Sequence, residues 1–392
     1  MTTNITPLAQ RVNDIEPFHV MELLARARAL EAEGRSIVHM EIGEPDFPTP
    51  RPVCDAGIRA LEQGELFYTP ALGLPALREK ISGYYRTRYG VDVPPSRIIV
   101  TSGSSGALLL AIAVLVDPGR EVLMADPGYP CNRHFVRLME GKAVAVPVGP
   151  DSNYQLNPEL LERHWSARTS AVLVATPANP TGTLIPLGEI GAMAKLASAR
   201  GGALIVDEIY HGLTYSGDAA TALALSDDVF VINSFSKYFN MTGWRLGWMV
   251  VPERYVREID KVSQNVYLSA PTPSQYAALA AFEPRTLQIL ETRRAEFKAR
   301  RDYLVPALRA LGFEIPGMPQ GAFYIYAGCS AFTPDSFAFA HELLEQAGVA
   351  ITPGVDFGAH AAERHVRFAY TNSIERLKDG VARLEKFLKR AT

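Results

Sequence analysis

Cysteine is rare in this chain: three residues in 392, Cys54, Cys131 and Cys329. An odd number at wide spacing makes neither a disulfide framework nor a metal-ligand pattern, so we expect a cytoplasmic protein without a bound metal. An excess of charge of one sign is also missing. There are 42 acidic and 39 basic residues, a net charge of -3, and no long run of either sign. The one tight basic cluster, Lys386–Arg390 (KFLKR), is too short to matter. Nucleic acid and anionic membrane are therefore not expected partners. No apolar run is long enough to span a bilayer. The most apolar, Ala107–Val116, is bounded by Gly106 and Asp117 and reads as a buried helix. The N-terminal stretch MTTNITPLAQRVNDIE is polar and has no apolar signal core. Internal repeats and low-complexity segments are absent.

What is present has room for two domains and a large core. Val20–Gly34 carries apolar residues at helical spacing and ends on glycine, so it reads as an amphipathic helix. Ile42–Pro50 (IGEPDFPTP) is a stiff loop, and helices are expected over 51–63 and 75–89. From Ile98, short apolar strands alternate with helical patterns: Ile98–Val100, Glu121–Met124, Ala171–Ala175, Ala203–Val206 and Val229–Ile232. Such alternation predicts an α/β fold, a large domain with a mainly parallel, doubly wound sheet. Gly247–Val251 is a further strand whose direction the sequence leaves open. Residues 252–305 read as mostly helical, with a turn near Phe282–Pro284. The remainder alternates helix and strand as a smaller α+β domain. The expected division is an N-terminal arm and helix over 1–45, a large domain over 46–283 and a small one over 284–392.

Ligands of parallel α/β sheets bind beyond the carboxyl ends of the strands. Each predicted strand delivers polar, glycine or aromatic residues there: Thr101–Gly106 (TSGSSG), Asp126–Pro130 (DPGYP), Thr176–Gly182 (TPANPTG), Asp207–Tyr210 (DEIY) and Asn233–Lys237 (NSFSK). Lys237 is an amine able to form an imine. With Ser234, Ser236 and Arg245 close by in sequence, it suits a phosphorylated aldehyde. TSGSSG before an apolar helix offers backbone amides to a phosphate, or else plain capping by Ser104 or Ser105. Tyr129 suits stacking on a flat ring, or a place in the core. Asn179 suits a hydrogen bond to a ring oxygen, or an Asx turn. Asp207, ending a buried strand, needs a cation, either a protonated ring nitrogen or an arginine. Tyr210 suits a phenolic oxygen on the same ring, or a backbone partner. Arg367, on an apolar strand, calls for an anion: a substrate carboxylate or a structural acid.

Taken in order, IGEPDFPTP, FYTPALGLPALRE, DPGYP, TPANPTG, VDEIY, SFSKYFNMTGWRLG, QGAFY and VRFAY closely resemble the class I/II aminotransferases that use pyridoxal 5'-phosphate on the aspartate-aminotransferase-like fold, fold type I. The resemblance runs from about Ile15 to the C-terminus. It implies that Lys237 bonds the cofactor's aldehyde carbon and then shuttles a proton. It implies that Asp207 bonds the ring nitrogen, Tyr210 and Asn179 the ring hydroxyl, and that Tyr129 stacks on the ring. Ser104, Ser105, Ser234 or Ser236, and Arg245 would hold the phosphate. Tyr68 would reach the phosphate of a neighbouring subunit, which implies a homodimer with shared active sites. Arg367, with Asn179 and the backbone at Gly43, would hold the substrate α-carboxylate. The implied substrates are an amino acid and a 2-oxo acid.

Substrate choice turns on the pocket lining. Bacterial aspartate enzymes of the family commonly have lysine where Ser105 stands and serine where Phe18 stands, and Glu258–Pro284 contains no arginine for a distal carboxylate. Phe18, His19, Tyr267 and Tyr324 point to an apolar or aromatic lining, so a neutral or aromatic amino acid is expected over aspartate, with 2-oxoglutarate or pyruvate as acceptor. A pyridoxal-phosphate β-lyase shares the same motifs and is the alternative chemistry. An aminotransferase-like sensor of a transcription regulator would need a helix-turn-helix extension, for which the segment before Ile15 is too short.

Overall fold

The computed structural model describes residues 8–215 and 219–391. Residues 1–7 of the polar N-terminal stretch lie outside them. The chain opens with α1 (His19–Ala32), a two-residue strand β1 (Val38–His39), α2 (Arg51–Glu62) and α3 (Pro75–Tyr89). Proline occupies an early position of both α2 and α3, where its missing N–H costs nothing, and Gly90 ends α3 in the left-handed conformation.

A seven-stranded sheet follows: β2 (Ile98–Thr101), β3 (Glu121–Asp126), β4 (Lys142–Pro147), β5 (Thr169–Ala175), β6 (Ala203–Asp207), β7 (Phe230–Ser234) and β8 (Gly247–Val250). The intervening helices are α4 (Gly103–Leu115), α5 (Cys131–Leu138), α6 (Pro158–His164) and α7 (Leu187–Ala199). The spatial order is β2-β8-β7-β6-β5-β3-β4. Every pairing is parallel except those of β8, which runs antiparallel to both β2 and β7. This is the direction that sequence alone left open. Strands β2, β7 and β8 are buried along their whole length, as helices on both faces require. The edge strand β4 was not anticipated. Its KAVAVP sequence is mostly exposed or half-buried and lacks the continuous apolar run that marked its neighbours.

The chain then runs through α8 (Glu253–Val266), α9 (Thr272–Leu279) and α10 (Pro284–Ala310). A second sheet carries β9 (Tyr324–Gly328), reached before α11 (Ser336–Glu342), the short strands β10 (Val349–Ala350) and β11 (Thr352–Pro353), then β12 (His365–Ala369) and α12 (Ile374–Ala391). Its order is β11-β12-β9, all antiparallel. β1 pairs in parallel with β10, so the N-terminal segment is stitched to the C-terminal part of the chain. The cavity lies where the carboxyl ends of the large sheet face the three-stranded sheet and α1.

Aromatic packing secures this junction. Phe297 of α10 is fully buried and meets Phe47 edge-on at 5.4 Å and Phe323 at 5.5 Å between ring centres. Replacing Phe297 with alanine should cost about 3–5 kcal/mol of stability, read as a lower midpoint in denaturant unfolding.

Candidate active site

A cavity of about 440 Å³ gathers residues from every strand end that the sequence singled out. β2 delivers Ser104 and Ser105, β3 delivers Tyr129, β5 delivers Asn179, β6 delivers Asp207 and Tyr210, and β7 delivers Ser236 and Lys237. Gly43, Arg245 and Arg367 also line it. Ser234 does not. It is buried, its hydroxyl donating to Leu246 O and accepting from Ser236 N, so it orients the loop that carries Ser236. Tyr68 is 82% exposed on the loop between α2 and α3, outside the cavity lining. Phe18 and Tyr324 line the cavity, whereas His19 and Tyr267 do not.

The antiparallel direction of β8 explains Arg245. Because β8 starts where β2 and β7 end, the residue just ahead of it arrives at the amino terminus of α4. Arg245 adopts a left-handed backbone, φ 52°, and its guanidinium donates to Thr242 O at 2.9 Å. Gly103, with φ +72°, opens α4. A β-carbon built on it falls 2.6 Å from Arg245 Nη2. The left-handed backbone favours glycine there, and its lack of a side chain leaves room for the guanidinium. The first amides of α4 receive no side-chain cap, so Ser104 and Ser105 do not cap the helix in the way the simpler reading supposed. Uncapped amides, two hydroxyls and a guanidinium in one place form an anion cradle.

Beside the cradle are two ionisable groups held away from their ordinary behaviour. Burial pushes the Asp207 carboxyl up to about 7, opposed by a hydrogen bond from Ile209 N and by the charge of Lys237. No ion pair forms to Asp207 among the described residues, so an arginine partner is not the answer to its burial. Burial pulls the Lys237 amine down to about 8. Glu44 works against that shift, and Arg367 and Arg245 reinforce it. Lys237 Nζ donates to Gly43 O at 2.6 Å. Gly43 is again a close approach, since a β-carbon there would collide with the Tyr324 hydroxyl. Tyr210 bonds that same hydroxyl at 2.8 Å instead of a backbone group.

Arg367 is the third charge. It is buried in the middle of β12 and bonds only neutral acceptors: Asn179 Oδ1 at 2.9 Å, Glu41 O at 2.5 Å and Thr352 Oγ1 at 3.2 Å. Tyr324 and Phe357 sandwich the guanidinium at 4.3 and 4.8 Å. Its Nε has no hydrogen-bond partner among the described residues. A buried guanidinium without a carboxylate retains the capacity to bind one. Thr352, Glu41 and Phe357 lay beyond the reach of sequence reasoning. Only the turn signal Thr352-Pro353-Gly354 after a short apolar run hinted at the first.

Comparison with known proteins gives the same answer. The model of the aminotransferase class I and II family matches residues 35–384. The chain belongs to the class I and II aminotransferases. It is therefore a transferase of nitrogenous groups acting on amino and 2-oxo acids, in a family that is generally dependent on pyridoxal phosphate. It is 38% identical over 384 residues to the (5-formylfuran-3-yl)methyl phosphate transaminase of Methanocaldococcus jannaschii, covering 97% of this chain and 99% of that one. It is also 38% identical over 376 residues to the valine–pyruvate aminotransferase of Mycobacterium tuberculosis, covering 95% and 97%. A solved aminotransferase from Mycobacterium tuberculosis superposes with TM-score 0.95 at 37% identity, covering 98% of this chain and all of that one. The fold is that of the family, fold type I. No helix among the described residues is long and apolar enough to cross a membrane.

The depressed Lys237 amine has a direct test. Its neutral, nucleophilic form prevails above about pH 8, where an ordinary lysine is still protonated. Labelling of Lys237 by an amine-selective reagent in the cofactor-free protein should rise through pH 8, as read by peptide mass spectrometry, and not through about 10.4.

Proposed function

We propose that this transferase works through pyridoxal 5'-phosphate held in the cavity. We propose further that it moves the amino group of an L-α-amino acid with a neutral or aromatic side chain to a 2-oxo acid such as 2-oxoglutarate or pyruvate. The observation that carries the reading is the convergence of a neutralisable amine, an unpaired buried carboxylate, an anion cradle and an unpaired guanidinium in one cavity. The residues fit the group. The α4 amino terminus with Ser104, Ser105, Ser236 and Arg245 suits its phosphate. Asp207 suits its ring nitrogen, Tyr210 and Asn179 its ring hydroxyl, and Tyr129 the face of its ring.

When bound, the cofactor supplies an aldehyde to receive the amino group and a sink for the electrons left at Cα. The protein supplies position and proton transfer. Arg367 offers two N–H donors to the α-carboxylate and so fixes the amino acid's orientation. Lys237, neutral near pH 8, takes the proton from Cα and returns it on the other side of the transfer. Asp207 becomes fully anionic once a cation lies beside it, and so holds that cation protonated. Tyr129 and Phe18 exclude water from the apolar side.

Side-chain preference follows from the lining. Apart from Lys237, Arg245 and Arg367, no cation lines the cavity among the described residues, whereas Phe18, Val20, Met21 and Leu108 do. A distal carboxylate would find no partner there. Relatives named for valine and pyruvate, and a Methanococcus jannaschii structure described as similar to kynurenine aminotransferases in its active site, support the same direction. Others are named for aspartate and prephenate.

The reading includes a homodimer, a cytoplasmic location in keeping with three free thiols, and the division at 46–283 and 284–392. Phe67 and Tyr68, 80% and 82% exposed on one loop beside Leu66, are large apolar groups in need of cover. A neighbouring subunit's cradle is the cover we assign to Tyr68.

Two experiments test these statements. Lys237→Ala should abolish the absorbance of covalently bound cofactor and lower turnover by more than about a thousandfold, with valine or phenylalanine as donor and pyruvate as acceptor. Retained turnover would remove Lys237 from its role. Light scattering should give twice the chain mass of 42.9 kDa, and Phe67→Glu should shift the protein towards monomer while weakening pyridoxal phosphate uptake. A wild-type monomer with full activity would end the shared-site reading.

A further inference from the structure

The helix that roofs the cavity has no cap of its own. α1 begins at His19 behind Phe18, whose side chain cannot bond the first amides. Those amides are satisfied from the far end of the chain. Asp356 Oδ1 accepts from His19 N at 2.8 Å and Oδ2 accepts from Val20 N at 2.9 Å. Asp356 closes the turn Gly354–Asp356 that follows β11, is 3% exposed, and forms no ion pair among the described residues. Both carboxylate oxygens are committed to the positive end of α1.

This bond has consequences at the cavity. Phe18, Val20 and Met21 of the first turn line it, and so does Asp356 itself. Holding the turn in place fixes an apolar wall. The same group leaves a negative charge in a partly desolvated space that substrate must share. The α-carboxylate would be compensated by Arg367, whereas a second carboxylate on the side chain would meet Asp356. Arg367 and His19 also act on that carboxyl, and Arg133, which donates to the Asp356 backbone carbonyl at 3.3 Å, lies outside the cavity lining.

We propose that Asp356 is a positioning and specificity-determining residue, which latches α1 over the space for the substrate side chain and makes the site select uncharged side chains over dicarboxylates. The proposal rests on the transaminase reading above, and it names the device that sets the substrate class.

Two variants of the holoenzyme separate the latch from the charge. Asp356→Ala removes both. It should raise KM for valine about fivefold, more than it lowers kcat, and speed hydrogen exchange at the His19 and Val20 amides, with pyridoxal phosphate uptake unchanged. Asp356→Asn keeps an acceptor and loses the charge. It should restore KM for valine most of the way and relax the preference for valine over aspartate about tenfold. Unchanged exchange and KM in Asp356→Ala would overturn the latch. Wild-type discrimination in Asp356→Asn would overturn the role of the charge. Should the wild-type enzyme use no apolar donor while exchange at α1 still quickens in Asp356→Ala, the latch stands and the substrate reading falls.

Discussion

Buried Asp207 and Arg367 and half-buried Lys237 share one cavity without an ion pair among the described residues, and this sets the character of the molecule. A lone buried charge costs several kcal/mol unless something meets it. Lys237 feels both Asp207 and Arg367, yet none of the three forms a salt bridge with another. Arg367 is instead held by an amide oxygen, a backbone carbonyl and a hydroxyl. Neutral acceptors fix its direction without cancelling its charge. Asp207 and Lys237 respond to the same burial by drifting towards their neutral forms, one upward and the other downward. A site arranged in this way is costly when empty and is stabilised by a ligand that brings both a cationic ring and a carboxylate.

The two sheets divide the work. The mainly parallel sheet ends in the groups proposed to hold a phosphorylated ring, because parallel strands all present their carboxyl ends on one side. The antiparallel sheet contributes Arg367 and Tyr324 from adjacent strands, Arg367 lying opposite Tyr326 and Thr352 in the register. In the proposed reading it serves the substrate and the larger sheet serves the ring. The link across the crevice is short: Tyr210 to Tyr324 and Arg367 to Asn179 between the sheets, and Lys237 to the carbonyl of Gly43 on the loop ahead of α2. Chemistry and recognition are thus joined by three hydrogen bonds across the crevice.

Much of this was legible in the residues. Continuous apolar runs marked the buried strands, and the polar clusters after them marked the cavity, because both follow from local rules of burial. The edge strand β4 was invisible because an edge need not be apolar on both faces. The direction of β8 was equally hidden, since a short buried strand reads the same in either sense. The choice between Ser234 and Ser236 also needed coordinates: two hydroxyls two residues apart share a face of an ideal strand, and only the loop bend after β7 turns one inward. Thr352, Glu41 and Asp356 escaped notice because their roles depend on partners more than three hundred positions away. No periodicity records such a contact.

The reversed strand, second from one edge of the large sheet, ties the anion cradle to correct assembly. Gly103 and Arg245 belong to distant stretches of sequence and meet only after β8 has inserted between β2 and β7. Half of the anion cradle is therefore missing until β8 joins β2 to the rest of the sheet. An intermediate with correct helices and an incomplete sheet would grip phosphate poorly. Retention of a phosphorylated ligand would then report on topology, favouring chains in which β8 has found its slot.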